Sequence, residues 1–212
     1  MDVKEATPRG LIAAGVALLA LLVLSGLHPR DRTTWWLEIA PILIALPVLA
    51  ATHRRFPLTP LVYCLIFVHA VILMAGGAYT YARVPLGFWL KAVLHTARNP
   101  YDKVGHFAQG FVPALVAREV LVRGRYVRTR GMLAFLVLCV VLAISAGYEL
   151  VEWQSAVLLG QGADAFLGTQ GDPWDTQSDM AFALLGGVCS LLLLSRVHDR
   201  QIAGLEEKRA GV

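Results

Sequence analysis

The chain has 212 residues, 57% of them hydrophobic and only 16% charged, with a mean hydropathy of +0.60. A soluble domain carries nearer ~25% charged residues, so the composition excludes an ordinary water-soluble enzyme or binding domain. The net charge of +4 does not mark a nucleic-acid partner, because the Lys and Arg residues lie mostly in short segments between apolar runs and no pattern of aromatic and basic residues suggests a nucleic-acid surface. In such segments basic residues orient membrane helices.

A spanning helix needs about 20 mostly apolar residues, and the runs can be taken in order. The first covers 11–27, behind Lys4 and Arg9. It resembles a signal peptide, but His28-Pro29-Arg30 offers no small-residue cleavage site, so it reads as an uncleaved first helix. The second covers 35–51, with Trp35 and Trp36 at the interface, and the third covers 58–79, with Pro60 in its first turn. Residues 81–100 are less apolar and read either as a short helix lying in the interface or as an ordered loop outside the membrane. The fourth run covers 101–122 and the fifth 131–153. A polar, Gly-rich stretch, 154–174, leads to the sixth, 175–197, and a charged tail closes the chain. The expected fold is all-α: a polytopic bundle of about six transmembrane helices forming one integral-membrane domain, 1–212, without internal repeats. Cys64, Cys139 and Cys189 each fall inside an apolar run, with no C-x-x-C, and read as small buried apolar residues.

Six spans sort the 19 Lys and Arg residues into thirteen on one side and six on the other. The positive-inside rule then places both termini in the cytoplasm. The stretch 154–174, which carries no Lys or Arg, suits an outward-facing loop.

That topology gathers unusual polar residues at the outer face. Asp102 and His106 begin the fourth run, Glu149 and Glu152 end the fifth, and Asp172, Asp175 and Asp179 lead into the sixth. Asp102, His106 and Gln109 lie four and three apart and share a helix face, as do Glu149 with Glu152 and Asp175 with Asp179. Carboxylates crowded in a low-dielectric setting repel, so a proton or a cation must hold them together. A divalent cation bound by His106 with Asp102, Asp172, Asp175 and Asp179 answers that need. The mixed nitrogen and oxygen donors suit Zn²⁺, Mn²⁺ or Fe. A metal-bound water would be a ready nucleophile, with Glu149 or Glu152 as general base. Plainer roles stand beside this one. Asp172 and Asp175 are natural turn and helix-start residues, and Asp102 could cap the fourth run. Glu149 and Glu152 resist such a reading, because acids at a helix C-terminus oppose its dipole. His69 could relay protons or simply hydrogen-bond in the core, and Glu119 is expected to find a basic partner.

Three stretches carry a family resemblance: Ala78 to Leu86; Arg98-Asn99-Pro100-Tyr101-Asp102-Lys103-Val104-Gly105-His106 with Gln109-Gly110-Phe111; and Gly160 to Gln177, followed by Asp179-Met180. Together they resemble the bacterial YjdF-type inner-membrane proteins, a family of unknown function. The Asp-Lys-x-x-His element is more loosely similar to VanZ-like membrane proteins. The resemblance implies an inner-membrane location and a multi-span helical fold, without a reaction. In that family His often stands where this chain has Ala78. Two functions follow from the residues. One is a metal-dependent, hydrolase-like membrane enzyme acting on a lipid or envelope substrate. The other is a cation or small-solute transporter or binding protein using the same acids. The sequence does not indicate an oligomeric state.

Overall fold

A computed structural model of the protein describes residues 7–159 and 170–210. Among these, the secondary structure is entirely helical. The helices are α1 (Pro8–Leu27), α2 (Arg32–Thr52), α3 (Pro60–Tyr79), a 3₁₀ turn (Tyr81–Arg83), α4 (Pro85–Leu94), α5 (Tyr101–Arg123), α6 (Arg130–Leu159) and α7 (Asp175–Ala210).

Local chemistry sets the helix starts. Thr7 Oγ1 accepts from Gly10 N at 3.1 Å and Asp31 Oδ1 from Thr34 N at 2.6 Å, each satisfying an amide that its helix leaves orphaned. Pro60 and Pro85 open α3 and α4, where a missing N–H costs nothing. α4 stops at His95, which takes the left-handed conformation at φ 52°. Residues 81–100 therefore contain a true helix, α4, whose Leu86, Phe88, Trp89, Val93 and Leu94 are exposed.

Five helices are long and apolar enough to cross a membrane: α1, α2, α3, α6 and α7. The fourth run of the sequence, α5, has the length but is too polar to qualify by composition. The packing explains this. α5 lies between α3, α6 and α7, with its largest interface on α7, so little of it needs to face lipid. α1 is the opposite case, packed mainly on α3 with Ile12, Val16, Leu19 and Val23 exposed. Apolar contacts join α1, α2 and α3 through Leu18, Ile39, Ala70 and Met74. They join α5, α6 and α7 through Ala114, Val137, Val141 and Ala183.

The α5–α7 contact is made backbone to backbone. A Cβ on Gly110 would stand 1.7 Å from Ala183 O, and one on Gly186 would stand 2.1 Å from Phe107 O. Lipid gives helices no hydrophobic reason to associate, so small residues that let the chains approach supply much of the attraction.

Three expectations change. α6 runs to Leu159, so Glu149 and Glu152 lie inside the helix, with Glu152 about two turns from its end, rather than at the C-terminus. α7 continues past residue 197 to Ala210, a 36-residue helix, because His198, Ile202 and Leu205 still have packing partners and are buried. Cys64 and Cys139 are exposed on the flanks of their helices, and Cys189 is half-buried, so the cysteines are not core residues.

Candidate functional site

The ends of α2, α5, α6 and α7 nearest α4 enclose a group of ionisable side chains. On α5, Asp102 and His106 are stacked one turn apart, with His106 Nε2 3.5 Å from Asp102 Oδ1. Asp179 of α7 reaches the same nitrogen, its Oδ2 at 3.7 Å. The other oxygen of each carboxylate turns to Lys103. Lys103 Nζ donates to Asp102 Oδ2 at 3.2 Å, to Asp175 Oδ1 at 2.8 Å and to Asp179 Oδ1. The lysine thus fixes the orientation of the two acids while leaving one oxygen of each facing the imidazole.

The opposite edge of the imidazole is also fixed. His106 Nδ1 donates to Gln109 Oε1 at 3.1 Å. In neutral imidazole this places the proton on Nδ1 and leaves the Nε2 lone pair toward the carboxylates, the arrangement that metal-binding histidines use.

From α6, Glu149 and Glu152 approach the same histidine, each only 7% exposed. Glu149 Oε1 is buried without a hydrogen-bond partner among the described residues. From α2, the buried Glu38 accepts from the Tyr148 hydroxyl at 3.1 Å and is also reached by the Tyr81 hydroxyl. Glu38, Tyr81, Asp102, His106, Gln109, Tyr148 and Glu152 line a small cavity of about 20 Å³. That is room for roughly one water or one ion.

Two triads bring a donor atom from each member within 4.8 Å of the others: Asp102, His106 and Asp179, and His106, Glu149 and Glu152. Either could share one ion, with His106 common to both. Asp172 and Asp175 stand outside these triads. Arg98 Nη2 donates to Asp172 Oδ2 at 2.6 Å and lies 2.9 Å from Asp175 Oδ1. Asp172 Oδ1 also accepts from Trp174 N at 2.9 Å, closing the turn before α7.

The sequence reading missed four participants. Glu38 was legible, being the one charged residue in the run 35–51, and an ionisable residue within a span is a functional candidate. Tyr148 and Tyr81 carry no such signal, and Lys103 enters the sequence reading only through the count of basic residues and the Asp-Lys-x-x-His element.

Lys103 yields a test of the cluster's electrostatics. In Lys103→Met, Asp102, Asp175 and Asp179 lose their shared cation. The metal-free protein should lose about 3–5 kcal/mol, as expected for breaking a buried ion pair. Thermal unfolding in detergent should show this loss, and added Mn²⁺ should restore more of it than it adds to the wild type.

A second polar group lies at the other end of α5 and α7. Glu119 is fully buried. It accepts from Thr59 N at 3.0 and 3.1 Å, from Thr59 Oγ1 at 2.8 Å, from Arg123 Nη1 at 2.6 Å and from His198 Nε2 at 3.0 Å. Glu119 thus has the basic partner the sequence called for, and it also caps the start of α3. Arg118 reaches His198 Nδ1 at 3.2 Å and donates to Asp199 Oδ1 at 2.5 Å. His69 is different again: its Nε2 is buried with no partner among the described residues.

Fold and cluster together define a polytopic helical membrane protein whose helices enclose a carboxylate-rich pocket around one histidine. A family model described as "Predicted membrane protein (DUF2238)" matches residues 10–200, and the chain belongs to that family. It is similar to the "Inner membrane protein YjdF" of Escherichia coli (strain K12), being 58% identical over 195 residues that cover 92% of this chain and 93% of that one. No solved structure matches the chain.

Proposed function

We propose that the protein is a metal-dependent, hydrolase-like enzyme of the inner membrane that acts on a lipid or envelope molecule. The observation that carries this reading is the convergence of Asp102, Asp179, Glu149 and Glu152 on His106, with Asp102 and Asp179 at its Nε2 and Glu149 Oε1 buried without a partner among the described residues. An unsatisfied buried carboxylate oxygen costs several kcal/mol unless a proton or cation meets it. A divalent ion held by His106, Asp102 and Asp179 would use the histidine lone pair that Gln109 presents and would set a positive charge near Glu149. Zn²⁺, Mn²⁺ and Fe²⁺ all accept this donor mixture. Such an ion would supply an activated water, and Glu149 or Glu152 would take its proton. The location follows the YjdF relative, and the excess of basic residues on the opposite side supports cytoplasmic termini with the His106 cluster facing outward.

The alternative, transport of a cation or small solute, calls for polar lining through the midplane. Between the His106 and Glu119 clusters, α5 and α7 instead touch through Gly110 and Gly186, flanked by Ala114, Val137, Val141 and Ala183. This packing argues for chemistry or binding at one face.

The test is incubation of metal-loaded protein with extracted bacterial envelope lipids, with products read by mass spectrometry. Wild type should release a hydrolysis product. Glu152→Gln should retain metal and lose about 10²–10⁴-fold in rate if it removes the general base, and Glu149→Gln is the matched variant should that role fall to Glu149. No product from metal-loaded wild type would end the enzyme reading.

A further inference from the structure

α1 and α2 are joined at their loop ends. Ser25 Oγ accepts from Trp35 Nε1 at 3.0 Å, and a Cβ on Gly26 would stand 2.5 Å from the Trp35 ring. Toward their other ends an open pocket of about 410 Å³ lies between them and α3. That volume is within the ~300–1,000 Å³ range of ligand sites. Leu18, Leu46 and Phe67 line its deeper part, Leu11 and Gly15 its α1 wall, and His53 and Tyr63 its end at the helix termini.

The polar end presents a hydrogen-bond donor. Tyr63 Oη accepts from Leu58 N at 3.2 Å and lies 2.8 Å from His53 Nδ1. The hydroxyl proton therefore goes to Nδ1, and the neutral imidazole carries its own proton on Nε2. No acceptor among the described residues meets that N–H. Arg9 and Arg54 are exposed at the same helix ends, in no ion pair among the described residues, and no acid lines the pocket.

We infer that this pocket binds an anionic phospholipid of the adjoining leaflet, its acyl chain between α1, α2 and α3 and its phosphate at His53 beside Arg9 and Arg54. The protein leaves the space unfilled, since a Cβ on Gly15 would meet nothing within 4 Å. In a bilayer the apolar material next to such a gap is lipid tail. A phosphate oxygen accepts from an imidazole N–H, and each Lys or Arg near the surface favours anionic lipid by about 1 kcal/mol. The polarity runs as in a leaflet, polar at the helix ends and apolar roughly 10 Å deeper, the rise from Leu11 to Leu18. Glu38 and the His106 cluster lie at the opposite end of α2, so this site stands apart from the hydrolytic centre proposed above.

The test uses the full chain, purified in detergent, stripped of lipid and incubated with phosphatidylglycerol, phosphatidylcholine or palmitic acid, then examined by native mass spectrometry. Wild type should retain phosphatidylglycerol about tenfold more than phosphatidylcholine, equivalent to roughly 1.4 kcal/mol. Gly15→Phe, which puts a ring into the open space, should lose most of that retention. Its thermal midpoint should not fall, because glycine inside a helix gives way to a better helix former. Val16→Phe, at a neighbouring position that is 62% exposed and outside the pocket lining, should keep the lipid. The surface variant Arg9→Gln with Arg54→Gln, which leaves the packing untouched, should bring the ratio of the two lipids to about one. Unchanged retention in Gly15→Phe, an unchanged ratio in the arginine variant, equal retention of both phospholipids by wild type, preferential retention of palmitic acid, or a dimer that closes the pocket would overturn the inference.

Discussion

His106→Ala is expected to abolish metal retention by the purified protein. The wild type, reconstituted with Zn²⁺, Mn²⁺ or Fe²⁺ and passed through a desalting column, should carry near-stoichiometric metal by elemental analysis. His106 is the member common to both donor triads. Removing it takes away the one nitrogen ligand and leaves two separate pairs of acids on α5 with α7 and on α6. Asp179→Ala should weaken retention less severely than His106→Ala, because Asp102 still faces the Nε2 of His106. Gln109→Leu should lower affinity by about 10–100-fold, the usual effect of removing the partner that orients a ligating histidine. Equal metal in wild type and His106→Ala would place the ion elsewhere, and no metal in either would return the acids to a hydrogen-bonding role.

Glu119→Ala should produce the largest loss of stability at the opposite end, with metal content unchanged. Its carboxylate meets five contacts from Thr59, Arg123 and His198, joining the start of α3 to α5 and α7. Removing one partner from a buried ion pair costs about 3–5 kcal/mol because the remaining charges are left uncompensated. Arg123 is then held only by Pro57 O at 2.6 Å and by the face of Phe56 at 3.9 Å. The thermal midpoint in detergent should fall markedly, while elemental analysis of surviving folded protein should match wild type. Loss of metal in this variant would mean that the two ends of the bundle do not act separately.

Much of the architecture was legible because hydropathy reports lipid exposure directly. The runs 35–51 and 58–79 fall inside α2 and α3 almost residue for residue. Boundaries failed where a helix goes on past its apolar run. His198 and Asp199 read as tail because they are polar, yet they sit on α7 bonded to Glu119 and Arg118. The same limit applies to the cluster. The i,i+4 spacing placed Asp102 over His106, and topology brought Asp179 to them, since both follow from helix periodicity. The roles of Lys103 and Glu38 depend on which side chains meet between helices, and periodicity along one helix does not specify that. The segment 160–169, part of the long family motif, lies outside the described residues.

The pairing of α5 with α7 has a mechanical consequence. These two helices are bolted at one end by Lys103 to Asp175 and Asp179, at the other by Glu119 and Arg118 to His198 and Asp199, and pressed together between the bolts at Gly110 and Gly186. A pair fastened at three heights can neither slide nor splay without breaking charge contacts, so it serves as the stationary post of the molecule. Any motion that admits or releases a ligand must come from the more lightly attached pieces around it, such as the short α4 and α1, which rests on α3 and on Trp35 of α2.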